Sequence, residues 1–186
     1  MNRTKTTISK EIKKKLLKWG FTKRGLFENT KGEWYLFLQL LLILLHFLTP
    51  YPSIEYIKFP INLLFIISGI ILSINGLRIS LKAFIDLGDN LTPLPYPMKK
   101  SILIRNNSYN DSRHPLYKGI LSISLGICIS TLSIIHLFLF ICLSHLLKKK
   151  ALKEEELLKI KFIEYEEYMK EVPAIFSNIS YLDWRS

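Results

Sequence analysis

The amino-acid sequence predicts an all-α polytopic membrane protein with about four membrane helices. These helices include a hairpin in the C-terminal half and are followed by a cytoplasmic C-terminal helix. Three observations lead to this fold class. Hydrophobic residues make up 49% of the 186 residues and are gathered in three blocks. The formal net charge of +11 comes largely from Lys and Arg residues that lie between and around those blocks, and the third block has a polar interruption near its middle.

Residues 1–33 are predicted to form a basic cytoplasmic or interfacial N-terminal segment. Apolar side chains recur in it at spacings of four, four and three residues, at Ile8, Ile12, Leu16 and Trp19. Lysines occupy much of the remaining helical surface, so we expect an amphipathic helix on an anionic membrane surface. No small-x-small motif follows the first apolar block, so a cleavable signal peptide is not expected. Residues 34–186 are predicted to form a single domain.

The first two apolar blocks predict the first two membrane helices. Residues 34–48 form a short block, because a bilayer requires about 20 helical residues. Residues 61–79 are long enough to cross a membrane, and Pro60 stands where a helix can begin. The loop between the two blocks contains Lys58 as its only basic residue, which is typical of the side opposite the cytoplasm.

The third block, residues 119–147, predicts a helical hairpin. As one helix its 29 uncharged residues would extend about 43 Å, longer than a bilayer core without strong tilt. Ser130-Thr131-Leu132-Ser133 interrupts it near the middle. Ten Lys or Arg residues precede position 34, seven lie in residues 78–118 and eight follow position 147. The positive-inside rule places all three groups on the cytoplasmic side. A hairpin satisfies this, with both termini cytoplasmic.

Other kinds of site receive little support from the sequence. The basic residues lie between apolar blocks, so nucleic-acid binding is not expected. Cys128 and Cys142 lack the spacing of a metal or disulfide motif and are interpreted as apolar fillers. His46, His136 and His145 lie within or beside the predicted spans, where we expect packing or interhelical hydrogen bonds rather than haem ligation.

A charged motif stands directly before the third block. Residues 113–119 read Arg-His-Pro-x-Tyr-x-Gly, and a charged cluster beside an apolar span is costly unless it has partners or a function. Pro115 suits the first turn of a helix, because its missing N–H would have no partner there. Arg113 and His114 would then lie at a helix N-terminus, which favours anions. For Arg113 taken alone, a side chain that reaches lipid phosphates is the favoured interpretation.

A second motif follows the block. Glu154-Glu155-Glu156 precedes a pattern of spaced aromatic and apolar residues, Phe162, Tyr165, Tyr168, Val172 and Pro173. Glu155 and Lys159 are four residues apart and could form a purely structural pair on a solvated helix face. The alternative that these glutamates only form a solvated, charged helix face is most serious for Glu154.

Together the two motifs resemble the integral-membrane methyltransferases typified by isoprenylcysteine carboxyl methyltransferase, with phospholipid N-methyltransferases as close relatives. The resemblance covers roughly residues 76–176. It implies S-adenosylmethionine-dependent methyl transfer, on the cytosolic side, to a lipid or small lipophilic acceptor that carries a carboxylate, amine or thiol. Two positions depart from the family pattern. Ile163 stands where Gly usually follows Phe, and Asn107-Ser108-Tyr109 stands where the family often has Gly-Pro-Tyr.

The resemblance also implies which residues bind the cofactor. They are Arg113, His114, Tyr117, Gly119, Glu154, Glu155, Glu156 and Tyr165. Carboxylates can accept the two ribose hydroxyls, and aromatic faces attract a sulfonium. The spacing between Phe and Tyr is one residue short, so the glutamates that match the family pair stay open. No catalytic residue is assigned, but His114 is a candidate proton acceptor for an amine acceptor. We expect His114→Ala or Glu155→Ala to weaken cofactor binding without unfolding the protein.

The sequence leaves two other functions open. One is an NADPH-dependent membrane reductase, and the other is a non-catalytic membrane scaffold or ligand-binding protein with the same fold. The abundance of Lys, Ile and Asn indicates an AT-rich bacterial genome, so we expect a multi-pass protein of the bacterial inner membrane. The methyl acceptor and the oligomeric state are not determined by these patterns.

Overall fold

The computed structural model describes residues 19–52, 54, 57–98 and 100–185. The predicted amphipathic helix that contains Ile8, Ile12 and Leu16 lies outside the described residues. Within these ranges the regular secondary structure is helical and no strand occurs, which confirms the all-α class. The described helices are α1 (Lys23–Glu28), α2 (Glu33–Leu45), α3 (Ile61–Leu87), α4 (Ser108–Asp111), α5 (Pro115–Thr131), α6 (Ile134–Lys161) and α7 (Tyr165–Glu171), with a 3-10 turn at Gly88–Asn90.

Helix α3 is a candidate membrane span. Together with the 3-10 turn that follows it, α3 covers 30 residues, and its most apolar window has a mean hydropathy of 1.9. Only 11% of that window is buried inside the protein. The core helix of a soluble protein would be mostly buried, so this exposure supports a helix that faces lipid. Helices α2 and α5 are also apolar but shorter.

The third apolar block is broken where the sequence predicted. Helix α5 ends at Thr131, its C-cap residue Leu132 adopts the left-handed conformation with φ of 47°, and α6 begins after Ser133. The Ser133 hydroxyl donates to the Tyr51 carbonyl oxygen at 3.0 Å, and Ser133 Oγ accepts from the Tyr51 N–H at 2.9 Å. These bonds attach the loop after α2 to the tip of the α5–α6 turn. Helix α6 then continues through Lys148-Lys149-Lys150 into the glutamate-rich segment.

Glycines bring α3 and α5 into close contact. Gly69 and Gly76 on α3 face Gly126 and Gly119 on α5. A Cβ added at Gly126 would lie 2.5 Å from the Gly69 carbonyl oxygen, and one added at Gly76 would lie 2.7 Å from the Gly119 carbonyl oxygen. Small residues let helix backbones approach closely in membrane proteins. This contact is the most extensive helix pair among the described elements, and it fixes the start of α5 against α3.

The C-terminal segment covers the start of α5. The Arg113 N–H donates to the Pro173 carbonyl oxygen and the His114 N–H donates to the Ala174 carbonyl oxygen, both at 2.9 Å. The Ser112 hydroxyl also donates to the Ala174 carbonyl oxygen. Ala174 and Ile175 are fully buried against α5 and α6. The two sequence motifs are therefore held side by side by backbone hydrogen bonds.

Candidate functional site

Arg113 is a buried member of an ionic cluster. Its Nε donates to Glu155 Oε1 at 2.7 Å, and the exposed fractions of the two side chains are 0% and 2%. Its Nη1 donates to the carbonyl oxygens of Met169, at 2.8 Å, and Val172. Arg113 therefore does not extend to lipid phosphates. It joins the start of α5 to α6 and to the end of α7.

His114 links the two glutamates. It is the N-cap residue of α5, with Pro115 in the first turn as the sequence predicted. Its Nε2 lies 3.0 Å from Glu155 Oε1 and its Nδ1 lies 3.8 Å from Glu154 Oε2. Its ring stacks on Tyr117, with centroids 5.2 Å apart and an interplanar angle of 2°. The Tyr117 hydroxyl donates to Glu154 Oε2 at 3.0 Å, so both motifs meet in one hydrogen-bonded network.

Glu155 is the centre of this network. Its Oε1 accepts from Arg113 and His114, and its Oε2 accepts from Trp184 Nε1 at 2.6 Å. Burial by itself would raise the pKa of Glu155, but hydrogen bonds and electrostatic interactions with His114 and Arg113 lower it to about 2. Glu155 is therefore a carboxylate at neutral pH, and both of its oxygens are engaged within the protein.

A cavity of about 320 Å³ lies beside the cluster. Pockets for small molecules have volumes of about 300–1,000 Å³, so this one lies at the lower end of that range. Five of the residues that the sequence proposed line it, namely Arg113, His114, Tyr117, Glu154 and Tyr165. Its other walls combine aromatic residues with apolar side chains from α2, α3 and the segment between α3 and α4. The cavity thus has a charged wall and a lipophilic wall.

The three consecutive glutamates face different environments. Glu154 lines the cavity with its side chain 28% exposed. Glu155 points into the ionic cluster, and Glu156 lies on the exposed surface of α6. Successive residues of an α-helix are rotated by about 100°. The structure therefore favours Glu154 as the carboxylate that is available to a ligand.

The two remaining predicted residues, Tyr165 and Gly119, lie in different places: Tyr165 at the cavity and Gly119 in a helix contact. Tyr165 is buried, lines the cavity and packs edge-on against Tyr168. Burial, with the nearby Glu155 charge as a further cause, raises the pKa of Tyr165 well above its ordinary value, so it is a neutral phenol. Gly119 lies in the contact with α3, where an added Cβ would be 2.6 Å from the Gly76 carbonyl oxygen. Helix packing therefore explains why this position requires glycine.

Sequence reasoning missed Lys150, Gln39 and Trp184. Lys150 is buried and lines the cavity, its Nζ donates to Gln39 Oε1 at 2.8 Å, and it lies 5.3 Å from the Tyr117 ring centroid. Burial lowers the pKa of Lys150 to about 8, although the Glu154 charge opposes this shift. One signal was available, because Lys150 precedes Glu154 by four residues and so shares its helix face. Gln39 and Trp184 come from distant parts of the chain and carried no such signal.

The histidines within or beside the apolar blocks make hydrogen bonds between elements, as predicted. His46 Nε2 lies 2.6 Å from Ser124 Oγ, and His136 Nε2 donates to the His46 carbonyl oxygen at 3.1 Å. His145 Nδ1 lies 2.8 Å from the Tyr181 hydroxyl. Across the part of the chain that the structure describes, no group of three or more His, Cys, Asp or Glu side chains could hold a metal ion.

The site therefore combines a carboxylate, several aromatic faces and two cationic side chains around one small cavity. Such a wall can bind a ligand that carries hydroxyl groups, a positive centre and an anionic end. Comparison of the chain with protein-family models, curated proteins and solved structures found no match.

Proposed function

We propose that this chain is an integral-membrane methyltransferase of the isoprenylcysteine carboxyl methyltransferase type. It would use S-adenosylmethionine to methylate a lipophilic or membrane-presented acceptor. One observation carries the proposal: two motifs about 40 residues apart meet in hydrogen bonds at the wall of a single cavity. Arg113 and His114 contact Glu155, and Tyr117 contacts Glu154.

The residues at the cavity fit the chemical groups of S-adenosylmethionine. The Glu154 carboxylate faces the cavity and can accept hydrogen bonds from ribose hydroxyls. The faces of Tyr117 and Tyr165 can attract a sulfonium. Among the described residues, Arg113 Nη2 is buried without a hydrogen-bond partner. A ligand carboxylate near the start of α5 would supply that partner, because an unsatisfied buried donor is costly.

The cofactor, when bound, supplies an activated methyl group, and the protein has to position the acceptor and exclude water. The lipophilic wall of the cavity includes Leu36 on α2 with Phe84 and Leu87 on α3. Helix α2 packs mainly on α6, whereas α3 packs mainly on α5. A lipophilic acceptor would therefore enter laterally between α2 and α3 without passing through water. An amine acceptor would also have to lose a proton, for which His114 is the candidate at the cavity wall.

We also propose that α2, α3, α5 and the first part of α6 span a bacterial inner membrane, with both termini in the cytoplasm. Helix α5 extends about 26 Å, near the thickness of a bilayer core of about 30 Å. Helix α2, with 13 residues, extends about 20 Å and would need its flanking turns or local thinning of the bilayer. The basic residues around the cavity favour the cytoplasmic side for this end.

Binding of labelled S-adenosylmethionine to the purified protein in detergent tests the proposal. We expect saturable binding that unlabelled S-adenosylmethionine displaces and NADPH does not. Displacement by NADPH would favour a reductase. Absence of any binding by protein shown to be folded would favour a scaffold.

A matched pair of variants tests the assignment of Glu154. Glu154→Gln should weaken S-adenosylmethionine binding about tenfold, which corresponds to about 1.4 kcal/mol, because the carboxylate at the cavity is lost. Glu156→Gln removes the same charge two residues along the helix on an exposed face and should leave the affinity unchanged. Equal effects of the two substitutions would contradict the assignment.

A further inference from the structure

A second, larger concavity lies on the other side of α2 and α6. Its volume is about 1130 Å³, and none of its lining residues lines the cavity described above. We call it the α2–α6 groove. Its floor is apolar and includes Leu38 and Leu41 on α2, Phe140 and Ile141 on α6, and Ile179 of the C-terminal segment. The groove is larger than ordinary small-molecule pockets, which reach about 1,000 Å³, and its walls suit an acyl chain.

One end of the groove is basic. Lys149 is exposed and lines this end, together with His145 and Tyr181. Next to it, Lys148 Nζ lies 4.0 Å from the Tyr181 ring centroid, which holds the C-terminal segment against α6. No Asp or Glu occurs among the described residues that line the groove. Its charge therefore complements an anionic group.

The apolar and basic parts of the groove are arranged along the proposed membrane normal. Ile141 and Lys149 are eight residues apart on α6, which places them about 12 Å apart along the helix axis. Trp34 lines the groove at the first turn of α2, and tryptophan is enriched at membrane–water interfaces. The groove therefore extends from the proposed cytoplasmic interface into the hydrocarbon region, the direction in which a phospholipid lies.

We propose that the α2–α6 groove binds a phospholipid with an anionic headgroup from the cytoplasmic leaflet. Its acyl chains lie along Leu38, Leu41 and Ile141, and its phosphate lies at Lys149. The proposal rests on the membrane location of α2 and α6 in the proposed function, but it does not depend on methyl transfer. The groove is separate from the cavity beside the ionic cluster, so the bound lipid acts as a ligand and not as a substrate.

Fluorescence quenching of Trp34 tests this site. The full chain is reconstituted in phosphatidylcholine bilayers that contain increasing fractions of brominated phosphatidylglycerol or brominated phosphatidylcholine. The Trp34 signal is the difference between the native protein and Trp34→Phe. We expect half-maximal quenching at a severalfold lower fraction of the brominated anionic lipid, because the basic end of the groove retains it.

Two lysine variants separate a built site from diffuse surface charge. Lys149→Gln should abolish the preference for phosphatidylglycerol. Lys82→Gln, which removes an exposed lysine from α3 outside the groove, should retain it. Equal quenching by the two lipids, or equal loss in both variants, would overturn the proposal.

Other results would count against the lipid site, the membrane location or the methyltransferase separately. Efficient cross-linking between chains through Cys142, which lines the groove, would show that a second copy occupies it and would overturn the lipid proposal. Failure of the protein to insert, with no quenching by either lipid, would overturn the membrane location itself. Loss of S-adenosylmethionine binding with intact lipid selectivity would instead count only against the methyltransferase.

Discussion

At the residue scale, Glu155 is the buried centre of the ionic cluster. It accepts hydrogen bonds from Arg113, His114 and Trp184, so it organises the site from behind the cavity wall. Glu154 has its side chain at the cavity instead. A buried ion pair contributes little net stability compared with apolar packing, but removal of one partner leaves an uncompensated charge.

Glu155→Ala should therefore destabilise the fold, in contrast to the sequence-based expectation of weakened binding alone. Loss of the carboxylate leaves Arg113 buried and unpaired, and breaking such a pair costs about 3–5 kcal/mol. Thermal denaturation in detergent measures the effect. Glu156→Ala is the matched control, and its effect should stay within about 0.5 kcal/mol. Similar melting temperatures for both variants would show that the cluster does not hold the fold together.

The lowered pKa of Glu155 predicts that the fold loses stability in acid. The pKa of Glu155 is lowered to about 2 in the folded protein, below the ordinary value of 4.5. Its ionised form therefore stabilises the folded state fully above about pH 4.5, and this contribution is lost as the pH falls towards 2. The melting temperature should decline over that interval, and the decline should be smaller in Glu155→Gln. Parallel pH profiles for the native protein and the variant would disagree with this assignment.

At the element scale, the close contact between α3 and α5 depends on glycine residues on both helices. Gly69, Gly76, Gly119 and Gly126 let the two backbones meet, and the motif residues at the start of α5 are positioned by that contact. The glycine of the first motif thus has a packing explanation. Its spacing of seven residues from Gly126 repeats the spacing between Gly69 and Gly76.

Gly126→Ala should destabilise the protein. The new Cβ would lie 2.5 Å from the Gly69 carbonyl oxygen and 2.8 Å from the Ser73 nitrogen, so the backbones must separate. Overpacking of this kind costs about 1–3 kcal/mol, whereas helix propensity alone would favour alanine by about 1 kcal/mol. The sign of the change in unfolding free energy in detergent therefore decides between close packing and propensity. Leu77→Ala, on the half-exposed face of α3, is the control and should have little effect.

At the scale of the whole molecule, two concave sites share one end of the helical array. The cavity lies between α2, α3, α5 and α6, and the α2–α6 groove lies on the opposite face of the α2–α6 pair. Basic residues of α6 contribute to both, since Lys150 lines the cavity and Lys149 lines the groove. Under the proposed topology this end faces the cytoplasm.

A C-terminal reporter should therefore be cytoplasmic. Green fluorescent protein fused after residue 186 should fluoresce, because eight Lys or Arg residues follow position 147 and favour retention inside. Alkaline phosphatase inserted after Leu132, at the tip of the α5–α6 turn, should be active on the opposite side. An inactive insertion at the tip together with a periplasmic C-terminus would replace the hairpin by another topology and separate the two motifs across the membrane.

Local patterns were enough to predict much of the fold. The break in the third block follows from Ser130-Thr131-Leu132-Ser133, and the start of α5 follows from Pro115, because these residues act on the backbone next to them. The convergence of Arg113 with the glutamates also followed from the combined motifs. Their exact partners did not, because the rotation of α6 about its axis depends on packing with α2 and α5.

By itself, therefore, the sequence determined the helical class, the approximate positions of α2, α3, α5 and α6, and the two segments whose residues meet at the cavity wall. These features depend on hydrophobic blocks, proline positions and charge distribution along the chain. Only the tertiary structure decided that Glu154 faces the cavity, that Glu155 neutralises Arg113, and that Lys150, Gln39 and Trp184 complete the site. The orientation of these side chains depends on how each helix is rotated about its axis and on contacts between residues far apart in the chain. No single segment of sequence encodes either.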